Sequence, residues 1–390
     1  MKNIIFYIAI CLSTDVLLGQ EMFIQNTDNL KGSVKVMGKQ YTTVYDNTAH
    51  RYRYFDELGK EIFLIKSEKA GFGGPFGTSF LSSWWYFDAK LDDGSIAVVY
   101  FWKINAIKDF YYIGVNYNKP DGTEYKKIKF FKSKETFFSK DSCNVKYNNN
   151  VFVGNLDSYL IKIDPKDFDG FGLDIKLDSK IDPYRPQDGI INAGEDYFAW
   201  LAAVPNGNVS GTLTYENIQN KIKGSGYHDH NWGNIELQKL FDNWLWFRGT
   251  VGQYTIIGYE LNTISSRGGY SIPGIFIADS LGIIYENYGQ NGIFTAKENL
   301  ITDLYEKNNE PLYSKLKIIT TDDFYIEIEG TEVIENLYLF DVNNIPVLPN
   351  LFQFSDIDPY YTRYKSKVKL QLPNEAILTG EGVLEIMDLK

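Results

Sequence analysis

Ser82-Ser-Trp-Trp-Tyr-Phe-Asp-Ala89, a turn at Asp92-Asp93-Gly94, and Ser95-Ile-Ala-Val-Val-Tyr-Phe-Trp102 decide the fold class. Two apolar, aromatic runs hinged on Asp-Gly read as a β-hairpin, since Gly supplies the positive φ a tight turn needs. Further strand candidates follow at Tyr111–Tyr117, Lys126–Phe131, Val151–Val153, Tyr159–Ile163, Gly172–Leu177 and Tyr197–Val204. Short strands at such spacing point to a β-sandwich or barrel. Asp178–Asp188, rich in Pro, Asp and Arg, reads as a loop.

The hairpin recurs. Trp244-Leu-Trp-Phe247 leads through a turn into Thr255-Ile-Ile-Gly-Tyr-Glu260, as Trp84-Trp-Tyr-Phe87 leads into its own apolar strand. At the far ends, Gly224-Ser-Gly-Tyr-His-Asp229 matches Gly380-Glu-Gly-Val-Leu-Glu385. Tyr86 and Gly226 are 140 residues apart, and Trp246 and Gly382 are 136 apart. Landmarks at nearly equal separation indicate a duplicated β domain. The second copy carries strand candidates at Gly274–Asp279, Gly282–Asn287, Leu316–Ile319, Phe324–Gly330, Ile334–Phe340, Tyr364–Leu372 and Gly382–Met387. Lys297–Asn308 suits helix or strand. Between the copies, Leu237, Leu240, Phe241 and Trp244 recur at helical spacing with Asn234 as a cap, so a short connecting helix is expected. The expected architecture is all-β: two tandem domains, residues 22–233 and 244–390.

Where the copies differ, the first carries Gly224-Ser-Gly-Tyr-His-Asp-His-Asn-Trp-Gly233, which holds two of the three histidines. A strand alternates its side chains, so Tyr227, Asp229 and Asn231 share one face and His228, His230 and Trp232 the other. An apolar strand does not need this density of polar and titratable groups. A hydrogen-bonded plug at a barrel end is the plainer reading. A functional site near the domain junction, where ligand pockets often lie, is the sharper one.

The chain has 390 residues, 39 basic and 50 acidic, for a net charge of -11, and no basic cluster. That argues against nucleic acid as a partner and against electrostatic docking on anionic lipid. Hydrophobic residues reach 44% and aromatics 16%, a globular composition suited to pleated, half-buried surfaces. Met1-Lys2-Asn3 followed by the apolar run Ile4–Leu12 fits a signal peptide over residues 1–19, so export to the periplasm or medium is expected. Its removal takes Cys11 and leaves Cys143 alone, so no intramolecular disulfide would support the fold. No run is long and apolar enough for a transmembrane helix.

Ser83-Trp-Trp-Tyr-Phe-Asp-Ala89, Gly226-Tyr-His-Asp-His-Asn-Trp-Gly233 and Gly380-x-Gly-x-x-Glu385 together resemble the hydroxyneurosporene synthase family over roughly residues 75–390. That family includes carotenoid 1,2-hydratases, kievitone hydratase-like proteins and fungal Diels–Alderases. The resemblance implies two lipocalin-like β-barrels, no metal or organic cofactor, and an apolar substrate held near the domain junction. It also directs attention to Glu260, near where hydratase relatives place an aspartate.

Hydrating an alkene needs a positioned acid, a stabilised carbocation and a delivered water. A carboxyl walled by aromatics has its pKa raised by desolvation and can stay protonated. Asp229, Glu260 and Asp88 are candidate acids, though Asp88 could be a turn residue and Glu260 a solvent-facing one. His228 or His230 could orient water or the acid. Tyr227, Trp232, Trp85, Tyr86 and Trp246 could stack on a cation or line the substrate site with Asn231. Trp84 and Trp85 face opposite ways, so at least one belongs to the core. His228 and His230 at i, i+2 could hold zinc, but only His50 remains as a further imidazole and no thiolates join them, so no metal is expected. The favoured function is a cofactor-independent hydratase, cyclase or isomerase working on an apolar isoprenoid or polyketide-like molecule. The alternatives are a secreted, non-catalytic carrier of a hydrophobic ligand and a glycan-active β protein with paired carboxylates. A hydrophobic small molecule is the expected partner of a monomeric chain, with peripheral membrane contact left open.

Overall fold

The computed structural model describes the backbone of residues 31–36, 39–46 and 51–55, and then residues 82–389 apart from 105–108, 140–142, 185–189, 194–195, 290–291, 302–311 and 339–358. The proposed leader, the Gly71–Gly77 loop and His50 lie outside the described residues. Three strands, β1 (Lys31–Val36), β2 (Lys39–Asp46) and β3 (Arg51–Phe55), form a small separate antiparallel sheet.

The first large sheet begins with the hairpin β4 (Ser82–Leu91) and β5 (Ile96–Ile104), followed by β6 (Phe110–Asn118) and β7 (Glu124–Phe131). It continues through β8 (Thr136–Phe138), β9 (Cys143–Tyr147), β10 (Asn150–Gly154), β11 (Ser158–Ile163) and β12 (Gly172–Ser179). Short β13 (Ile190–Ala193) and two long strands, β14 (Asp196–Tyr215) and β15 (Ile218–Gly233), complete it. The spatial order is β7-β6-β5-β4-β15-β14-β12-β11-β10-β9-β8, with β13 on β14. The last long strand therefore returns to lie beside the first. Curling of this sheet makes a nearly closed barrel.

The second sheet repeats the plan. It comprises β16 (Phe241–Val251), β17 (Tyr254–Thr263), β18 (Ser271–Asp279), β19 (Gly282–Tyr288), β20 (Ile293–Ile301), β21 (Leu312–Thr320), β22 (Tyr325–Tyr338), β23 (Tyr360–Gln371) and β24 (Leu378–Asp388). Its order is β19-β18-β17-β16-β24-β23-β22-β21-β20. The described part of the ambiguous Lys297–Asn308 stretch is strand, within β20. Two tandem lipocalin-like β-barrels are the architecture. Among the described residues no helix is long and apolar enough to cross a membrane.

Each barrel is filled by the inward face of alternating strands. Trp85, Phe87, Phe101, Ile113, Val145 and Phe152 are fully buried in the first, and Phe247, Ile256, Leu316, Ile328 and Leu384 in the second. Cys143 is buried in the first core, which pushes its thiol pKa up. The connection between the sheets is shorter than the Leu237–Trp244 spacing suggests. Leu237–Lys239 makes one 3-10 turn, and Phe241 and Trp244 already pair with β17 or β24. Ladder hydrogen bonds on both sides of β16 override the helical periodicity. The apolar residues serve instead as a satellite core of Ile235, Leu240, Phe241 and Leu389. Asn234 does not cap; its Oδ1 accepts the Tyr197 amide at 2.7 Å.

The duplication is visible in the strand register. In the first barrel, Asp229 lies opposite Tyr86, Tyr86 opposite Tyr100, and Tyr100 opposite Gly114. In the second, Glu385 lies opposite Trp246, Trp246 opposite Tyr259, and Tyr259 opposite Gly274. Each row is acid, aromatic, tyrosine, glycine. The glycine is required, because a Cβ at Gly114 or Gly274 would overlap the tyrosine ring lying across it. Gly274→Ala is expected to cost about 1–3 kcal/mol by displacing the buried Tyr259 ring. Urea unfolding would read this as a lower midpoint at unchanged slope.

Candidate functional site

The site forms where the outward faces of β4 and β15 meet those of β16, β23 and β24. Strand alternation divides the focal stretch as its sequence implies, and the register decides which face meets the second domain. Tyr227, Asp229 and Asn231 face the junction. His228, His230 and Trp232 face the first barrel's core.

Asp229 is the centre of the junction face. Its Oδ2 accepts hydrogen bonds from Trp200 Nε1 at 3.0 Å and Tyr227 Oη at 2.9 Å, and its Oδ1 accepts from Asn231 Nδ2 at 2.8 Å. The surrounding rings come from both domains: Trp246 lies 5.3 Å from Tyr227, and Trp200 lies 5.8 Å from Tyr259. Burial pushes the Asp229 pKa up to about 7, with the nearby Glu385 carboxyl adding to the rise. The three donors oppose it, because they favour the carboxylate. Burial wins.

A second layer lies two residues along the strands. Asp88 Oδ2 accepts from Tyr86 Oη at 2.7 Å and is paired by Arg248 and, at 3.1 Å, by Arg363. Arg363 also donates to Tyr86 Oη and meets Glu385 Oε1 at 3.2 Å. Asp88 and Arg363 side chains are each 3% exposed, so this is a buried ion cluster joining the domains. The Arg248 guanidinium lies 4.8 Å from the centre of the Tyr227 ring. Asp88 and Arg248 occupy equivalent positions in the two copies, each two residues after the aromatic opposite the acid. The duplication therefore places an acid and a base where they neutralise one another across the junction. Burial raises the Glu385 pKa, although Arg363 opposes the shift.

Five proposed site residues do not join this cluster. His228 Nδ1 donates to the Tyr86 carbonyl at 2.8 Å, and its ring lies 4.6 Å from Phe152 and 4.5 Å from Tyr159. Burial lowers its pKa to about 3. It is expected to remain neutral at pH 5, a state that nitrogen chemical shifts would report. His230 bonds Ser83 Oγ at 2.9 Å and stacks between Trp85 and Trp232 at 4.8 and 4.6 Å. Trp85 and Trp232 are fully buried with it. Period-two alternation sends all four away from Asp229. Glu260 is neither solvent-facing nor at the junction: it is 3% exposed, on the inner face of β17, bonded to Ser271 Oγ at 3.1 Å and Lys297 Nζ at 3.2 Å. Among the described residues no three His, Cys, Asp or Glu side chains are placed to hold a metal ion.

Sequence reasoning missed Glu385, Arg248, Arg363 and Trp200 as partners in the site. Glu385 was within reach, since it is the repeat counterpart of Asp229. The row register extends the same logic to Arg248. Arg363 and Trp200 sit on strands whose sequences carry no comparable mark.

Above the ion cluster opens a cleft of about 1030 Å³, bounded by Asp88, Arg248 and Arg363 at its floor and by Lys90, Lys223 and Lys367 toward its mouth. Its lining mixes charged side chains with apolar ones, in contrast to the apolar cavity expected. Asp229 is not in that lining.

No family model matches the chain. It is 22% identical over 346 residues to a protein named hydroxyneurosporene dehydrogenase from Chlorobaculum tepidum, covering 78% of this chain and 82% of that one. Among solved structures, a protein named CghA superposes with a TM-score of 0.59 at 12% identity, covering 95% of this chain and 98% of CghA. Kievitone hydratase from Nectria haematococca gives a TM-score of 0.53 at 14% identity, covering 80% and 90%. By sequence along most of its length and by fold across both barrels, the chain resembles the lipocalin-like hydroxyneurosporene synthase group, as its WWYFDA and YHDHNWG words indicate.

Proposed function

We propose that this protein is an enzyme of the hydratase, cyclase or isomerase kind, acting by acid-assisted chemistry on an alkene of an apolar isoprenoid or polyketide-like molecule. The observation that carries the reading is Asp229: a half-buried carboxyl, pushed up to about pKa 7 by desolvation, among aromatic rings at the domain junction. The name of one similar structure, kievitone hydratase, supports hydration as the reaction class. Asp229 gives its proton to one alkene carbon, so the π pair forms the new C–H bond and its neighbour becomes cationic. The faces of Trp246, Trp200 and Tyr227 stabilise that cation. In hydration water adds and returns a proton to Asp229; in cyclisation an internal alkene adds and the cation this creates loses a neighbouring C–H proton to Asp229; in isomerisation a neighbouring C–H proton returns to Asp229 directly. Trp200, Tyr227 and Asn231 already donate to the carboxylate that the first step creates, so stabilising it requires little reorganisation. His228 and His230 take a packing role here.

The test is incubation of the purified chain with a mixed terpenoid and polyketide extract, followed by mass spectrometry, beside Asp229→Asn. A product heavier by one water, or an isomer of equal mass, present only with the native chain is expected. Ligand recovered unchanged from both proteins would instead identify a carrier.

A further inference from the structure

We infer that the junction cleft is an oxyanion site, so that the substrate is an amphipathic molecule carrying a carboxylate or phosphate group on an apolar body. This rests on the acid-assisted reading for the apolar part alone; the anion site stands on its own residues. The chain carries a net charge of -11, yet its cleft is lined by two arginines and five lysines against Asp88, Asp92 and Glu381. Such an inversion of sign concentrates anions in a narrow space.

The strand register orders these bases from floor to mouth. Lys365, Val383 and Arg248 form one row across β23, β24 and β16, and Lys367, Glu381 and Thr250 form the next. On the facing domain, Tyr227 pairs with Asp88 and Ser225 with Lys90, with Lys223 one step farther on the same face. The two arginines therefore lie at the floor, Lys365 shares the Arg248 row, and Lys90, Lys223 and Lys367 stand toward the mouth. Some of this charge is already matched: Arg248 and Arg363 by Asp88, Lys365 by Glu332 at 2.9 Å, and Lys90 by Glu381 at 3.6 Å. Lys180, Lys223 and Lys367 have no acidic partner among the described residues. On the floor, Arg248 Nε is buried without a hydrogen-bond partner. A guanidinium edge left open is suited to a carboxylate or phosphate oxygen.

The spacing couples this site to Asp229. Each two-residue step along a strand is roughly 7 Å. An oxyanion held between the Arg248 row and the lysine rows would stand roughly 7–14 Å from the Asp229 row. That is within the reach of a short isoprenoid or polyketide chain.

The experiment is a tryptophan-fluorescence titration of the full chain with farnesol, farnesoic acid and farnesyl phosphate, which share one apolar body. Inorganic phosphate is titrated alone. At least one of the two anions should bind on the order of ten-fold or more tighter than farnesol, and raising the salt should erase that margin. The stronger anion identifies the oxyanion. Lys180→Gln/Lys223→Gln/Lys367→Gln, which alters only exposed rim charge, should lower anion affinity while leaving farnesol affinity and Tm unchanged. Arg248→Gln should remove the remaining preference. Farnesol binding as tightly as both anions, an anion affinity indifferent to the triple variant, or no probe binding would overturn the site. Anion binding that persists in Asp229→Asn is expected. If native protein binds the anions but converts no substrate, the acid-assisted reading fails and the anion site does not.

Discussion

Asp229→Asn is expected to lower turnover by about 10²–10⁴-fold, the usual contribution of a positioned general acid. The amide keeps the side chain's shape but cannot deliver the proton. Activity of the native enzyme should fall as pH rises through about 7, because the carboxyl donates only in its protonated form. Stability follows the same direction. Between pH 3.8, the ordinary carboxyl value, and about 7 the folded chain holds this proton while the unfolded chain releases it. The contribution is thus fully present below pH 3.8 and lost as pH rises through 7, on the order of 4 kcal/mol for this group alone. Asn removes the desolvated charge, so its Tm relative to the native chain should be more favourable above pH 7 than near pH 5. A variant that lost activity by unfolding would show the opposite.

The second large effect is expected at Asp88. Asp88→Asn leaves Arg248 and Arg363 facing each other without their shared carboxylate, in a cluster whose Asp88 and Arg363 side chains are 3% exposed. Breaking a buried ion pair from one side costs about 3–5 kcal/mol. By contrast Glu332→Gln, which breaks an exposed pair with Lys365, should change stability by about 0–1 kcal/mol. Adding Arg248→Met to Asp88→Asn removes the surplus charge and should recover part of the loss. Urea unfolding of the four proteins would decide this. Equal effects at Asp88 and Glu332 would mean the junction is wetter than its burial implies.

The fold was legible because its signals are local. Asp-Gly turns, period-two alternation and the recurrence of Trp84–Phe87 as Trp244–Phe247 depend on short windows, and the barrels follow from them. The connecting segment misled for the same reason: helical spacing at Leu237–Trp244 is a local pattern, and β16 pairing is not. At the site, alternation separated Asp229 from the two histidines correctly. Which face meets the second domain is a property of how the barrels dock. Trp85 and Trp232 therefore read as ligand-binding aromatics but pack with His230 in the core. Glu260 illustrates the complementary error, since one residue of offset on β17 turns a side chain from Tyr259's junction face into the second barrel. Asp88, Tyr86, Tyr227, Asn231 and Trp246 do meet Asp229's neighbourhood. Arg363, which joins Asp88 to Glu385, comes from a strand near the chain's end and had no pattern to announce it.

Whether Asp229 keeps its proton near neutral pH can be measured without any substrate. Infrared difference spectra of the native chain minus Asp229→Asn, recorded from about pH 5 to about pH 9, would follow the carbonyl stretch of the protonated carboxyl. The expected result is a band present at the acid end that disappears with a midpoint near 7. A carboxylate spectrum already complete at pH 5 would show Asp229 ionised throughout and unable to serve as the acid.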